Sequence, residues 1–249
     1  MDAGKREETI KTALKDHHLA VMDAGYHVVM TVLVGSQNYD LDTPNSDYDT
    51  YTFVMPTVRD IAMMNGPVSV KLEDEWGHIN IKDIRLGLYL LKKTSPNSVE
   101  WFATKHKIVD TLYHKWFGGK INPMLLRCNP KNMLDSIGGM SKQLLTRNMP
   151  AGKRFSHLLR MKNMLERFYD LDSDILGLCP EDRYVALKAK LDPDNKKWEK
   201  ECELYEGLVQ LMVSRCGTGA LSECEMYAWP EIDRITQELM ELHFGDFGV

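Results

Sequence analysis

Apolar and polar positions divide this chain into two unlike halves. Over residues 6–23, Ile10, Ala13, Leu14 and Val21 share one face at helical spacing, and Gly25 stops the run. Tyr26 to Val34 is rich in β-branched residues and predicts a buried strand. Tyr48 to Met55, ended by Pro56, predicts a second strand. A short helix over 58–65 closes at Asn65-Gly66-Pro67. Residues 68–72 and 78–81 alternate apolar and polar around Asp74, Glu75, Trp76 and Gly77, which predicts a hairpin. From Asp83 to Lys93 the period turns helical, with Ile84, Leu88 and Leu91 in phase, and Pro96 breaks it. Pro96 to Ala103 starts another helix, with Asn97 or Ser98 able to cap it. Residues 105–120 are aromatic and contain glycine, and no element can be assigned to them.

Further helices are predicted over 130–147, 153–169, 180–190, 194–216 and 230–243. The 153–169 helix is the most plainly amphipathic, with Leu158, Met161, Leu165 and Phe168 as its seam. Strands first and helices after predict an α+β fold, a small mixed β-sheet with an appended helical domain. The boundary falls near residues 120–130, dividing the chain into 1–125 and 126–249.

The chemistry concentrates between the first two strands. An apolar run ends in Gly35-Ser36, a polar loop follows, and Asp47 and Asp49 flank Tyr48 at the start of the next strand. Residues two apart on an extended chain point to one face, so the two carboxylates aim at one point. Two hard oxygen ligands suit Mg²⁺ (or Mn²⁺), which usually takes one or two carboxylates together with substrate phosphates. Gly35 lets the backbone approach a phosphate, and Ser36 adds a hydroxyl. The pattern reads as a grip for a nucleoside triphosphate and its metal. A calcium loop is a poorer fit: Asp40, Asp42 and Asn45 are near, but the central Gly and terminal Glu of an EF-hand are missing.

The Gly35-Ser36 turn, the loop and the Asp47-Tyr48-Asp49 acids resemble the signature of nucleotidyltransferases of the DNA polymerase beta superfamily. Asp83 to Phe102, with its Pro96-Asn97 turn and Glu100-Trp101, is similar to a segment of one branch of small predicted nucleotidyltransferases. Some members of that branch accompany RNA ligases in phages. Lys153 to Arg160 resembles a basic helix of the same branch. The likeness spans roughly residues 30–180. It implies a palm-like nucleotidyltransferase core over 1–125. It implies that Asp47 and Asp49 hold metal and act in catalysis, that Gly35 and Ser36 hold phosphate, and that an NTP is the substrate. The superfamily's third carboxylate is expected where this chain has His78. Leu86 and Ser95 also depart from the branch, which tends to Lys and Asn there. Asp83, Glu73 or Asp74 then completes the metal site, or the site is altered. His78 is a hairpin residue without a role, a substitute ligand or base, or the mark of a lost activity.

On the 153–169 helix, Lys153, His157, Arg160 and Arg167 recur at three- and four-residue offsets. Such a stripe is either a solvated face or a holder of phosphate, for which Arg is apt. Tyr39 packs within the loop or stacks on a base. Glu100-Trp101 reads as structural, with Trp101 in the seam between domains.

Composition narrows the rest. The chain has 249 residues, 43% of them hydrophobic and 27% charged, ordinary for a globular protein. Its net charge of −5 argues against broad nonspecific nucleic-acid binding but leaves room for a local basic groove. Five scattered cysteines, an odd number without a CxxC pair, argue against a disulfide framework or structural zinc. No signal peptide or apolar span is visible, so a cytoplasmic protein without membrane contact is expected. The acceptor is left open among an RNA end, a small molecule and a protein side chain, and so is the oligomeric state. A catalytically degenerate nucleotide- or RNA-binding regulator of the same fold is the alternative.

Overall fold

The computed structural model describes residues 3–44, 46–171, 174–217 and 221–245. Helix α1 (Ala3–Asp23) leads into β1 (His27–Leu33), and a 3-10 turn (Ser36–Tyr39) follows. Then come β2 (Thr50–Met55), α2 (Val58–Ala62), the hairpin β3 (Ser69–Glu73) and β4 (His78–Asp83), α3 (Ile84–Lys93), α4 (Pro96–Ala103) and the short β5 (Lys107–Val109). The chain continues through α5 (His114–Phe117), α6 (Pro130–Thr146), α7 (Ala151–Phe168), α8 (Pro180–Leu191), α9 (Lys197–Arg215) and α10 (Ser222–Gly245). The fold is α+β. Its five strands run in the order β3-β4-β2-β1-β5, with β2 and β4 parallel and the other pairs antiparallel.

Alternation along the strands sorts the sheet's two faces. Val28, Val54, Ile79 and Ile81 meet Val21 of α1 on one side. Two adjacent histidines of α1 reach the same side: His17 bonds the Thr50 hydroxyl (2.8 Å) and His18 the Thr31 hydroxyl (3.0 Å). The other face, with Met30, Val32 and Phe53, packs on Trp101 and Phe102 of α4. From there one hydrophobic cluster continues through α6, α7, α9 and α10, across the 120–130 region. The seam expected on the 153–169 helix is buried throughout at Leu158, Met161, Leu165 and Phe168.

Three local readings are corrected. Ser95, not Asn97 or Ser98, caps α4, in a reciprocal capping box with Ser98. Helix α10 begins at Ser222, and Pro230 lies inside it. Packing overrides the proline's cost: Cys224, Ala228 and Ile232 are buried, and the Trp229 indole N–H donates to the Cys128 carbonyl (3.2 Å). The β2 strand begins at Thr50, so Asp47 and Asp49 lie in the lead-in to it. Residues 105–120 hold β5, a 3-10 turn and α5, elements too short for periodicity to reveal. Asn45, named for the calcium loop, lies outside the described residues. No helix among the described residues is long and apolar enough to cross a membrane.

One close approach fixes how the helices wall the site. A Cβ on Gly152 would lie 2.1 Å from the Ala189 carbonyl oxygen, and the Gly152 N–H donates to the Pro193 carbonyl (2.8 Å). The start of α7 therefore touches the end of α8 backbone to backbone. Gly152→Ala is expected to push the two apart and destabilise the fold by about 1–3 kcal/mol, the cost of overpacking. A thermal melt checks this.

Candidate functional site

The Gly-Ser corner is built by a glycine-only conformation. Gly35 has φ 95° and ψ −149°, a region essentially closed to other residues. Its N–H donates to the buried Glu100 carboxylate (2.7 Å), which also accepts from the Asn38 amide (3.0 Å). Gln37 is buried, and its amide donates to the Asp47 carbonyl (2.6 Å). Arg6 of α1 donates to the Gln37 carbonyl (2.9 Å) and to the Asp42 carboxylate (2.7 Å). Arg6 of α1 and Glu100 of α4 thus hold the loop and the corner, and Gln37 within the loop ties them to the acid segment.

The acid segment is held by backbone on both sides. The Val34 N–H donates to the Asp49 carbonyl (2.9 Å), and the Tyr48 N–H donates to the Trp76 carbonyl (2.8 Å). Tyr48 turns toward the Ile10, Leu14 and Leu33 cluster. Asp47 and Asp49 turn the other way, and both line a cleft of about 480 Å³ with Gly35 and Ser36. The Asp49 carboxylate also accepts the His78 N–H (3.1 Å).

The opposite wall of the cleft is cationic. Lys153, His157 and Arg160 of α7 line it, joined by Arg147 from the α6–α7 connection and Lys190 of α8. Burial, with Arg160, Lys153, Lys190 and Arg147 around it, pushes the His157 imidazole down to about 3, so it is neutral at physiological pH. Burial also lowers Arg160, but Tyr39 and Glu100 outweigh it and raise the guanidinium. Arg160 donates to Glu100 (3.3 Å) and its guanidinium lies 3.8 Å from the centre of the Tyr39 ring. Lys190 donates to the Leu41 carbonyl (2.7 Å), and burial with the nearby Arg160 lowers its ammonium to about 8.

That value gives the cleft a pH signature. Below about pH 8 Lys190 is charged, and a polyanion bound beside it moves its pKa back up toward the ordinary lysine range. Affinity for inorganic tripolyphosphate is therefore expected to change little with Lys190 below pH 8 and to fall as pH rises above it. Lys190→Arg is expected to flatten that fall. Calorimetric titrations between pH 7 and 9.5 check both.

All six residues singled out for the site, Gly35, Ser36, Asp47, Asp49, Lys153 and Arg160, line this one cleft. Several details differ from the sequence reading. The Gly35 N–H faces Glu100, so a phosphate in the cleft would be left to Ser36 and the cationic wall. Arg167 is not on the cleft wall; it lies against Gly177. Tyr39 is buried under Arg160. Asp42, set beside Asp40 as a weak calcium-loop candidate, is engaged by Arg6, and Asp40 meets both Arg6 and Arg183.

None of the candidate third acids lines the cleft. Asp83 is buried at the far end of β4, opposite Val54, and binds Arg85 (2.6 Å). Asp74 accepts from His17 (3.0 Å) and from the Trp76 N–H (2.8 Å). Glu73 lies on the exposed edge strand, 3.6 Å from His78. The β2–β4 register, with Thr50 beside Ile79, sets His78 next to Asp49.

Sequence reasoning missed Arg147 and Lys190, which reach the cleft from separate helical segments and share no spacing with α7. It also missed Gln37, one polar residue in a polar loop. Glu100 stood in the quoted Glu100-Trp101 pair; its carboxylate is what joins the corner to α7.

The chain matches no protein-family model and no curated protein sequence. Whether the site suits a metal must be judged from its donors. Among the described residues no group of three His, Cys, Asp or Glu side chains is placed to hold an ion. Two carboxylates facing a cationic wall fit Mg²⁺ that arrives with its polyphosphate, since this ion keeps several waters and takes few protein ligands.

Proposed function

We propose that this chain is a metal-dependent nucleotidyltransferase, moving a nucleoside monophosphate from an NTP to a hydroxyl acceptor with release of pyrophosphate. One observation carries the reading: two carboxylates, a Gly-Ser corner and a wall of Arg147, Lys153, Arg160 and Lys190 share one cleft. The resemblance to the polymerase beta superfamily adds to it.

In this reading Lys153, Lys190 and Arg147 hold the triphosphate, and Ser36 donates to one of its oxygens. Asp47 and Asp49 would hold Mg²⁺, which when bound would supply positive charge against the phosphoryl oxygens. The pinned corner and the backbone-held acids keep the donors in place, so little reorganisation is needed when the new O–P bond forms. His78 flanks Asp49 through its backbone N–H (3.1 Å) without lining the cleft.

A second reading is favoured by the missing third acid: a nucleotide-binding regulator that no longer transfers. Labelling with α-³²P NTPs and Mg²⁺, offered total RNA in one arm and cell lysate protein in another, separates the two. Transfer abolished by Asp47→Ala with Asp49→Ala supports the enzyme, and the labelled band identifies an RNA or protein acceptor. Nucleotide binding without label in either arm, with His78→Asp restoring it, supports the regulator.

A further inference from the structure

We infer that a second cavity, behind Arg160, is a nucleoside pocket that seats the base while the cleft holds the phosphates. This rests on the polyphosphate reading of the cleft. The cavity has a volume of about 580 Å³ and shares Arg147, His157 and Arg160 with the cleft. Its floor is apolar and buried, formed by Tyr39, Pro96, Leu144, Met161 and Met164. Its rim is polar and exposed at Asn97, Gln143 and Arg147. Small-molecule pockets have this build: mostly apolar, with a few placed polar groups, and typically about 300–1,000 Å³.

Charge fixes which end of a ligand goes where. Lys153 and Lys190 line only the cleft. Glu100, a buried carboxylate, lines only the second cavity. Among the described residues the cavity has only Arg147 and Arg160 as cations, the latter paired with Glu100, so a phosphate is drawn more strongly to the cleft with its two added lysines, whereas an uncharged ring has no such preference. The occupant must be anionic at one end and flat and apolar at the other.

The chemistry of the cavity suits a heteroaromatic ring. Methionine sulfurs make favourable contacts with aromatic rings. The Asn97 and Gln143 amides offer both donors and acceptors, the pair of roles that reads a base edge. His157, neutral in this setting, stands at the junction, where it can bond a sugar hydroxyl without adding charge.

The test is calorimetry in Mg²⁺ with ATP, GTP, CTP and UTP separately, and with inorganic tripolyphosphate. The preferred NTP is expected to bind at least tenfold more tightly than tripolyphosphate. Met161→Trp fills the floor, and Gln143→Trp covers the mouth from an exposed position that carries little of the fold. Each is expected to weaken the NTP at least tenfold and leave tripolyphosphate within twofold, while Lys153→Ala weakens both. Folded variants that leave NTP binding unchanged, or weaken both ligands alike, overturn the pocket and leave the cleft reading standing. Failure of both ligands to bind the unmodified chain overturns the cleft reading, and the pocket with it.

Discussion

An Asp49→Asn chain is expected to fold normally and to transfer nucleotide at least about 10²–10³-fold more slowly, the scale of losing one preorganised electrostatic group at a reacting centre. Asparagine is the sharper choice because its oxygen can still accept the His78 N–H that Asp49 accepts at 3.1 Å. The Val34 and Tyr48 backbone bonds that position the segment are untouched. Fold and chemistry are thereby separated. The measurement is initial-rate labelling beside a thermal melt. Asp47→Asn is expected to act in the same direction, and the double variant to add little, since the two acids serve one ion. A full rate in the double variant would remove the enzymatic reading outright.

Arg127→Met is expected to be the most damaging change to stability, about 3–5 kcal/mol. Arg127 is almost wholly buried and ends helix α7 from below. Its guanidinium donates to the carbonyls of Phe168 (2.5 Å), Arg167 (2.9 Å) and Asp170 (2.7 Å), and to that of Pro123 (2.9 Å). It also lies 5.7 Å from the centre of the Phe168 ring. A helix leaves its last carbonyls without intrahelical partners, and here Arg127 donates to the last two, the Arg167 carbonyl accepting the Asp170 N–H (3.1 Å) as well. Methionine fills similar volume but donates nothing, and each orphaned buried carbonyl costs about 1–3 kcal/mol. The melting temperature is expected to fall by about 10 °C or more. Lys153 and Arg160 of the cationic wall stand on the same helix, so polyphosphate affinity should weaken in parallel as α7 frays. A denaturant titration with unchanged midpoint would show that water or neighbouring groups take over those carbonyls.

Much of this molecule was legible before any coordinates. The strand of Tyr26 to Val34, the hairpin around Gly77 and the amphipathic run of α7 rest on local periodicity, which burial of one face imposes on the sequence. That the six residues singled out for the site would come together in one cleft was legible for a related reason. Gly35, Ser36, Asp47 and Asp49 lie within one loop and its flanks, and Lys153 and Arg160 share one helical face.

What was not legible depends on distance along the chain. Lys190 comes beside Arg160 where Gly152 lets α7 and α8 touch, and one glycine at a helix start does not announce a contact with residue 189; Arg147 comes from the α6–α7 connection, off the periodicity of α7. Pro230 marked a false helix start because proline favours first turns, and only the packing of Cys224 and Trp229 reveals the turns before it. Glu100 reads as structural from the sequence and is so, but its partners were not legible: the donors to its carboxylate are Gly35, Asn38 and Arg160, all 60–65 residues from it along the chain.

The Glu100 link has a mechanical consequence. One carboxylate grips the corner after β1 with one hand and helix α7 with the other, so the two walls are riveted together across the base of the site. Such a site cannot work as a jaw that swings shut on each substrate. Ligands then enter and leave through openings that stand open, beside exposed Asp47 and Lys153 for the cleft and beside Gln143 for the second cavity, rather than by the swing of a lid.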